Sequence, residues 1–137
     1  MEIEYIVEWF KYADGDLLSA ERLNTFHPKN INIICFHCQQ SAEKYLKGYL
    51  MFKGTEEPPK IHNLNILCDL CVKIDPKFEK IYEACEVLNV YGVQPRYPHE
   101  MEITESDMQK ALAYAAQVKD FEPLAKVRKQ LTANSLL

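Results

Sequence analysis

Apolar residues recur along the chain at three- and four-residue steps, the spacing that places side chains on one face of an α-helix. From about Ile3 to Leu23, this face carries Ile3, Val7, Phe10 and Leu17. His27-Pro28 follows, and a residue before proline disfavours helical backbone. The pattern therefore predicts a first helix of about six turns.

A second helix is predicted to begin after Asn30, whose side chain suits an N-cap, and to run to about Phe52. Gly54, before Pro58-Pro59, marks its end. Gly48 lies inside this helix and is expected to allow a close approach of another helix. The apolar stripe consists of Ile31, Ile34, Cys35, Cys38, Ala42, Tyr45, Leu46 and Tyr49.

The third predicted helix begins near Asn63, and a fourth follows Asp75-Pro76, an N-cap with proline at the first helical position. The inward residues of the third are Leu64, Leu67, Cys68, Cys71 and Ile74. Those of the fourth are Phe78, Ile81, Tyr82, Cys85 and Leu88.

Residues 92–103 contain Gly92, Pro95 and Pro98 and are predicted to form a loop. A fifth helix begins at Thr104, which with Asp107 resembles a capping box. Its core face carries Met108, Ala111, Leu112, Ala115 and Val118.

Pro123 should kink or end the fifth helix. The spacing of Leu124, Val127 and Leu131 allows a short further helix, and the last few residues are expected to fray. No segment alternates strictly between apolar and polar residues. We therefore predict one domain over residues 1–137, an all-α, up-and-down bundle of about five helices: a four-helix-bundle-like core plus a short helix, with 132–137 as a frayed tail.

The amino-acid composition also supports an all-α fold. The 137 residues include only 4 glycines and 7 prolines, too few turn formers for an all-β sandwich. No apolar run is long enough to span a membrane, and the N-terminus does not resemble a signal peptide. With 5 cysteines and no export signal, we expect free thiols in the cytoplasm. The net charge of −4 disfavours a broadly basic nucleic-acid binder.

Two Cys-X-X-Cys pairs, Cys35/Cys38 and Cys68/Cys71, could together supply the four thiolate ligands of a zinc site. Both pairs lie on apolar helix faces, and neither is next to a glycine or proline. The segment between the pairs exceeds the usual zinc-ribbon spacing. We interpret the cysteines as core residues and expect no metal and no cofactor.

The polar side of the second helix is the first candidate site. Residues 29–60 carry five lysines against three acidic residues, a net charge of +2 in an acidic chain. Gln40, Lys44 and Lys47 are expected to share one face, and Glu43 reaches Lys47 one turn away. Such a face is usually a solvated surface. The alternative is a polar groove that binds phosphate.

Arg96-Tyr97-Pro98-His99 and the separate His62 form the second candidate site. Arginine binds phosphate with a planar, permanently charged group, and histidine exchanges protons near neutral pH. Together they suit general acid–base cleavage of a phosphodiester. The alternative is an ordinary polar loop.

Four stretches in order resemble the HEPN domain family (higher eukaryotes and prokaryotes nucleotide-binding). They are Ala13-Asp-Gly-Asp16-Leu17 with Ala20, Phe36 with Gln39-Gln40-Ser-Ala-Glu43-Lys44-Tyr-Leu-Lys47 and Leu50, His62-Asn-Leu64 with Leu67, and Arg96-Tyr97-Pro98. The resemblance implies a helical bundle, a homodimer with a polar cleft near its interface, and a small nucleotidyltransferase partner, often in a toxin–antitoxin pair.

Some family members are metal-independent ribonucleases with an arginine followed, after four to six residues, by a histidine. Counted from Arg96, that histidine would fall at 101–103, which hold Met101, Glu102 and Ile103. His99 comes too early.

Three functions remain open. The first is a nucleotide- or nucleic-acid-binding module with Gln40, Glu43, Lys44, Lys47, His62, Arg96 and Tyr97 as ligand-binding residues. The second is a metal-independent endoribonuclease toxin that uses Arg96 with His99 or His62. The third is a purely structural helical dimerisation module.

Overall fold

The computed structural model describes residues 3–54, 57, 59–92 and 102–133. Within these residues all regular structure is helical, which confirms the all-α prediction. The helices are α1 (Ile3–Leu23), α2 (Ile31–Phe52), α3 (Leu64–Ile74), α4 (Tyr82–Asn89), α5 (Glu105–Asp120) and α6 (Glu122–Ala133), and short 3₁₀ segments span Pro76–Ile81 and Val90–Gly92.

Helix starts follow the local sequence closely. The Thr104 hydroxyl accepts a hydrogen bond from Asp107 N at 3.1 Å, and the Asp107 carboxylate accepts one from Thr104 N at 3.0 Å, which confirms the capping box. Asn63 caps α3, and the carboxylate of Asp75 accepts from Lys77 N at the start of a 3₁₀ segment rather than of α4. Asn30 occupies the N-cap of α2, but its side chain makes no capping hydrogen bond.

Helix α2 is the centre of the bundle and contacts α1, α3, α4, α5 and α6. It runs antiparallel to α1, and Gly48 packs directly against that helix. A Cβ placed there would lie 2.9 Å from Cε2 of Phe10 and 3.2 Å from Cβ of Trp9. The close approach expected of Gly48 is therefore confirmed, and it is made with α1.

The core contains most of the residues that the apolar stripes predicted, and Ile31 and Leu112 are partly buried against it. Three residues are exceptions. Ile3, Ile74 and Tyr82, expected to face inward, are 36%, 44% and 38% exposed. Each lies at the first or last position of its helix. The prediction was wrong for these positions because helical periodicity shows on which face a side chain lies. It does not show whether another element reaches far enough to cover that side chain.

All five cysteines are free and buried, as expected of core residues. Cys68 Sγ donates to the carbonyl of Phe78 at 3.4 Å. Burial raises the pKa of both Cys35 and Cys38 to about 12, so these thiols stay protonated at neutral pH. Both Cys-X-X-Cys pairs lie within helices.

Phe121 separates α5 from α6 and is not itself helical. Pro123 is the second residue of α6, where the first backbone N–H groups of a helix have no intrahelical partner. Proline therefore costs α6 no hydrogen bond. The first bond of α6 runs from Ala125 N to Phe121 O at 2.8 Å. Pro123 thus begins a new helix instead of kinking α5.

A half-buried polar cluster ties α6 to the first two helices. The guanidinium of Arg128 donates to both carboxylate oxygens of Asp14 and, at 2.7 Å, to the hydroxyl oxygen of Tyr45. Tyr45 in turn donates to Asp14. Burial alone would raise the pKa of Asp14, but the hydrogen bonds from Arg128 and Tyr45 outweigh it and hold that pKa below its ordinary value.

No helix in the described part of the chain is both long and apolar enough to cross a membrane.

Candidate functional site

The carboxylate of Glu43 is the centre of a buried polar cluster on α2. Lys47, one turn further along the helix, donates to Oε2 at 3.0 Å. Nδ1 of His62, in the segment before α3, lies 2.9 Å from the same oxygen. Gln39 donates to Oε1 at 3.2 Å. Both carboxylate oxygens are therefore occupied, and the i,i+4 pair predicted for Glu43 and Lys47 is confirmed.

The members of this cluster differ sharply in exposure. The side chains of Glu43 and Lys47 are 7% and 6% exposed, whereas that of His62 is 79% exposed. An ionised carboxylate only accepts hydrogen bonds, so the contact favours the tautomer of His62 that carries its hydrogen on Nδ1. Nε2 is then left as a lone-pair acceptor on an imidazole whose orientation the buried carboxylate fixes.

Two glutamines extend the cluster toward the predicted loop. Gln40 donates to Oε1 of Gln39 at 2.7 Å, and Gln39 also donates to the carbonyl of His62 at 3.3 Å. A Cβ on Gly92 would lie 3.1 Å from the Gln39 side chain. Gly92 therefore packs directly against the amide that holds Glu43.

A second carboxylate on α1 holds another lysine and histidine. Lys44 donates to Oδ2 of Asp16, and Nδ1 of His37 lies 3.0 Å from Oδ1. The Asp16 side chain is 13% exposed. Helices α1 and α2 therefore each contribute a carboxylate that binds one lysine and one histidine.

These contacts correct two expectations about α2. Glu43 and Lys47 are buried, so the solvated-surface interpretation is wrong for them. Lys44 and Lys47 also do not act as one cationic face, because each pairs with a different carboxylate. Sequence spacing placed the two lysines near each other but did not show that Asp16 of α1 lies beside one of them.

A cleft of about 700 Å³ opens beside Lys47 and His62. This volume is within the range of small-molecule sites in proteins. Lys47 Nζ lies 5.8 Å from the centre of the Trp9 ring, a cation–π contact. The lining residues are Tyr5, Trp9, Lys47, Glu57, Pro59, Lys60 and His62.

The structure brings Gln40, Glu43, Lys47 and His62 together and leaves Lys44 in the Asp16 cluster. Arg96, Tyr97 and His99 lie outside the described residues, so their proposed roles stay predictions.

Sequence reasoning missed Tyr5, Trp9, Gln39, Lys60 and the carboxylate of Asp16. Tyr5 and Trp9 stand one helical turn apart, a spacing that would have put both rings on one side of α1. Gln39 and Asp16 had been noted within motif stretches but not given a role.

The chain matches a protein family but no individual curated protein and no solved structure. A family model, described as HEPN domain, matches residues 6–125, from the first turns of α1 into α6. This match covers most of the chain and includes every described residue of the Glu43 and Asp16 clusters. The chain therefore belongs to the HEPN domain family.

Proposed function

We propose that this protein is a nucleotide- or nucleic-acid-binding module that acts as a homodimer and pairs with a small nucleotidyltransferase. The observation that carries the proposal is the buried Glu43–Lys47 pair next to His62 at the edge of an open cleft. Removing two charges from water is costly, and a hydrophobic pair of similar volume is often at least as stable. Such a pair beside a cleft is therefore better explained by recognition than by packing.

The chemistry of the cluster suits a nucleotide. Lys47 presents a cation whose position Glu43 fixes, and His62 adds an exposed imidazole. Arg96 and Tyr97 supply a guanidinium and an aromatic ring a few positions after Gly92 in the sequence. A guanidinium such as that of Arg96 binds phosphate groups, and aromatic rings stack on bases.

The test is binding of a fluorescent single-stranded oligonucleotide, measured by anisotropy. The key variant is Glu43→Gln combined with Lys47→Met, which removes both buried charges at nearly constant volume. We expect the affinity for the oligonucleotide to fall roughly 10- to 150-fold, which is the effect of losing one hydrogen bond to a charged group. Arg96→Ala should weaken binding similarly, whereas Lys126→Ala, a 74% exposed lysine on α6, should not.

Unchanged binding in both cluster and loop variants would contradict the proposal. If the wild-type protein binds no nucleotide and no oligonucleotide, a structural dimerisation module becomes the better explanation. Light scattering of the purified chain tests the homodimer. Identification of a nucleotidyltransferase in the neighbouring reading frame, followed by co-purification with this chain, tests the partner.

A second function, metal-independent endoribonuclease activity, is favoured by the contact between His62 and Glu43. A carboxylate that orients an exposed imidazole is an arrangement suited to general acid–base catalysis. In this scheme His62 or His99 transfers the proton, and Arg96 stabilises the negative charge on the phosphorane. Labelled RNA incubated with the protein in EDTA should be cleaved, and His62→Gln combined with His99→Gln should abolish cleavage. Intact RNA would exclude this function.

A further inference from the structure

We infer that the cleft beside Lys47 binds the base of one unpaired nucleotide, with Tyr5 and Trp9 of α1 as its stacking wall. The inference rests on the proposed function and adds to it the part of the ligand that this cleft contacts. Neither aromatic residue belongs to the motif stretches of the chain.

The aromatic wall has the shape that a planar ligand needs. Tyr5 and Trp9 have ring centroids 6.2 Å apart and planes inclined by 59°. A flat base that stacks on one ring therefore meets the other at its edge, an arrangement that aromatic groups favour. Tyr5 is 46% exposed, so its ring is open to a ligand. The Lys47 ammonium over Trp9 fixes one side of the indole.

Charge in the cleft is nearly balanced. Lys47 is neutralised by Glu43, and the exposed Lys60 shares the lining with the exposed Glu57. A site built for a pyrophosphate or triphosphate would present a clear excess of cations. The balance indicates that stacking and burial, not phosphate attraction, supply the affinity here.

The cleft also has polar lining residues. His62, Lys60 and Glu57 offer hydrogen-bond donors and acceptors at exposed positions. A base has an apolar face and a polar edge, and the cleft offers both aromatic and polar groups. An apolar peptide side chain would displace water from these polar groups without replacing its hydrogen bonds, which disfavours it.

Trp9 is the single tryptophan of the chain, so its fluorescence reports on this cleft alone. We expect each of the four nucleoside monophosphates to quench it saturably, because stacking tolerates all bases. Adenosine should bind within about threefold of its monophosphate, and inorganic phosphate should have no effect.

Variants separate the stacking wall from the rest of the surface. Tyr5→Ala should weaken binding roughly 5- to 150-fold, and Tyr5→Phe should restore it. The matched control is Tyr12→Ala, a 62% exposed tyrosine on α1 that does not line the cleft. Trp9→Phe should retain most of the affinity by calorimetry. It removes no hydrogen bond, because the buried indole nitrogen has no partner among the described residues.

The outcomes are distinguishable. If an oligonucleotide binds by anisotropy while Trp9 fluorescence and the affinity of Tyr5→Ala stay at wild-type values, the nucleic-acid function stands and the base cleft is wrong. If inorganic phosphate competes as well as a nucleoside monophosphate, the cleft is an anion site and the inference fails. If no nucleotide or oligonucleotide binds, both proposals fail together.

Discussion

The close packing of α1 on α2 gives a sharp prediction from two glycines. Gly48 and Gly15 both lie inside long helices, where alanine is intrinsically more favourable than glycine by about 1 kcal/mol. Their surroundings differ completely. A Cβ at Gly15 would have nothing within 4 Å, whereas one at Gly48 would meet Phe10 at 2.9 and 3.1 Å and Trp9 at 3.2 Å.

The magnitudes follow from these distances. Gly15→Ala should stabilise the protein by about 1 kcal/mol, since only helix propensity changes. At Gly48 the same gain is opposed by overpacking against Phe10, which is fully buried and packs edge-on against Tyr45. Overpacking costs about 1–3 kcal/mol. Gly48→Ala should therefore be neutral to destabilising by about 2 kcal/mol.

Urea unfolding followed by circular dichroism at fixed protein concentration measures the difference. With an m-value of about 2 kcal/mol/M, the midpoints of the two variants should differ by about 0.5–1.5 M. Fixed concentration matters because a homodimer is stabilised by mass action. If Gly48→Ala is stabilised as much as Gly15→Ala, then α1 and α2 do not approach as described and the reasoning is refuted.

Three further outcomes are expected. Arg128→Ala should destabilise the protein by about 1–3 kcal/mol, because half-buried Asp14 loses a charge-assisted partner. Since the pKa of Asp14 is lowered on folding, its contribution is present above the unfolded pKa and lost as pH falls through the folded one. Acid titration of stability should therefore be shallower in this variant than in wild type, and equal slopes would contradict the assignment. Thr104→Ala should cost about 1 kcal/mol in urea unfolding through loss of the capping box. Cys35 and Cys38 should not react with a thiol reagent at pH 8 until urea unfolds the chain, and rapid native labelling would show that they are not buried.

The helices were predictable because their signals are local. Apolar spacing and caps such as Thr104 with Asp107 act within a few residues, and the starts of α2, α3 and α5 lie within one or two positions of those predicted. The fourth helix is the exception, because its predicted start at Pro76 opens a 3₁₀ segment and α4 begins only at Tyr82. The separation of the fifth and sixth helices was only partly predictable, because Pro123 was expected to kink or end the fifth helix, whereas it lies in the first turn of α6.

The polar contacts were less predictable because they join distant parts of the chain. The pairing of Lys44 with Asp16 spans 28 residues, and that of Arg128 with Asp14 spans 114. Helical periodicity indicates which face a residue occupies but not which helix lies opposite. The polar face of α2 was therefore found, but its division between two carboxylates and its burial required the structure.

The Arg128–Asp14 contact also determines when native contacts can form while the protein is being synthesised. A chain leaves the ribosome N-terminus first, at about 5–20 residues per second. Arg128 lies 114 positions after Asp14 and is therefore synthesised roughly 6–23 s later. Until then the carboxylate of Asp14, and the phenol of Tyr45 once it has been made, lack their guanidinium. The native arrangement of α1 and α2 is completed only when α6 emerges.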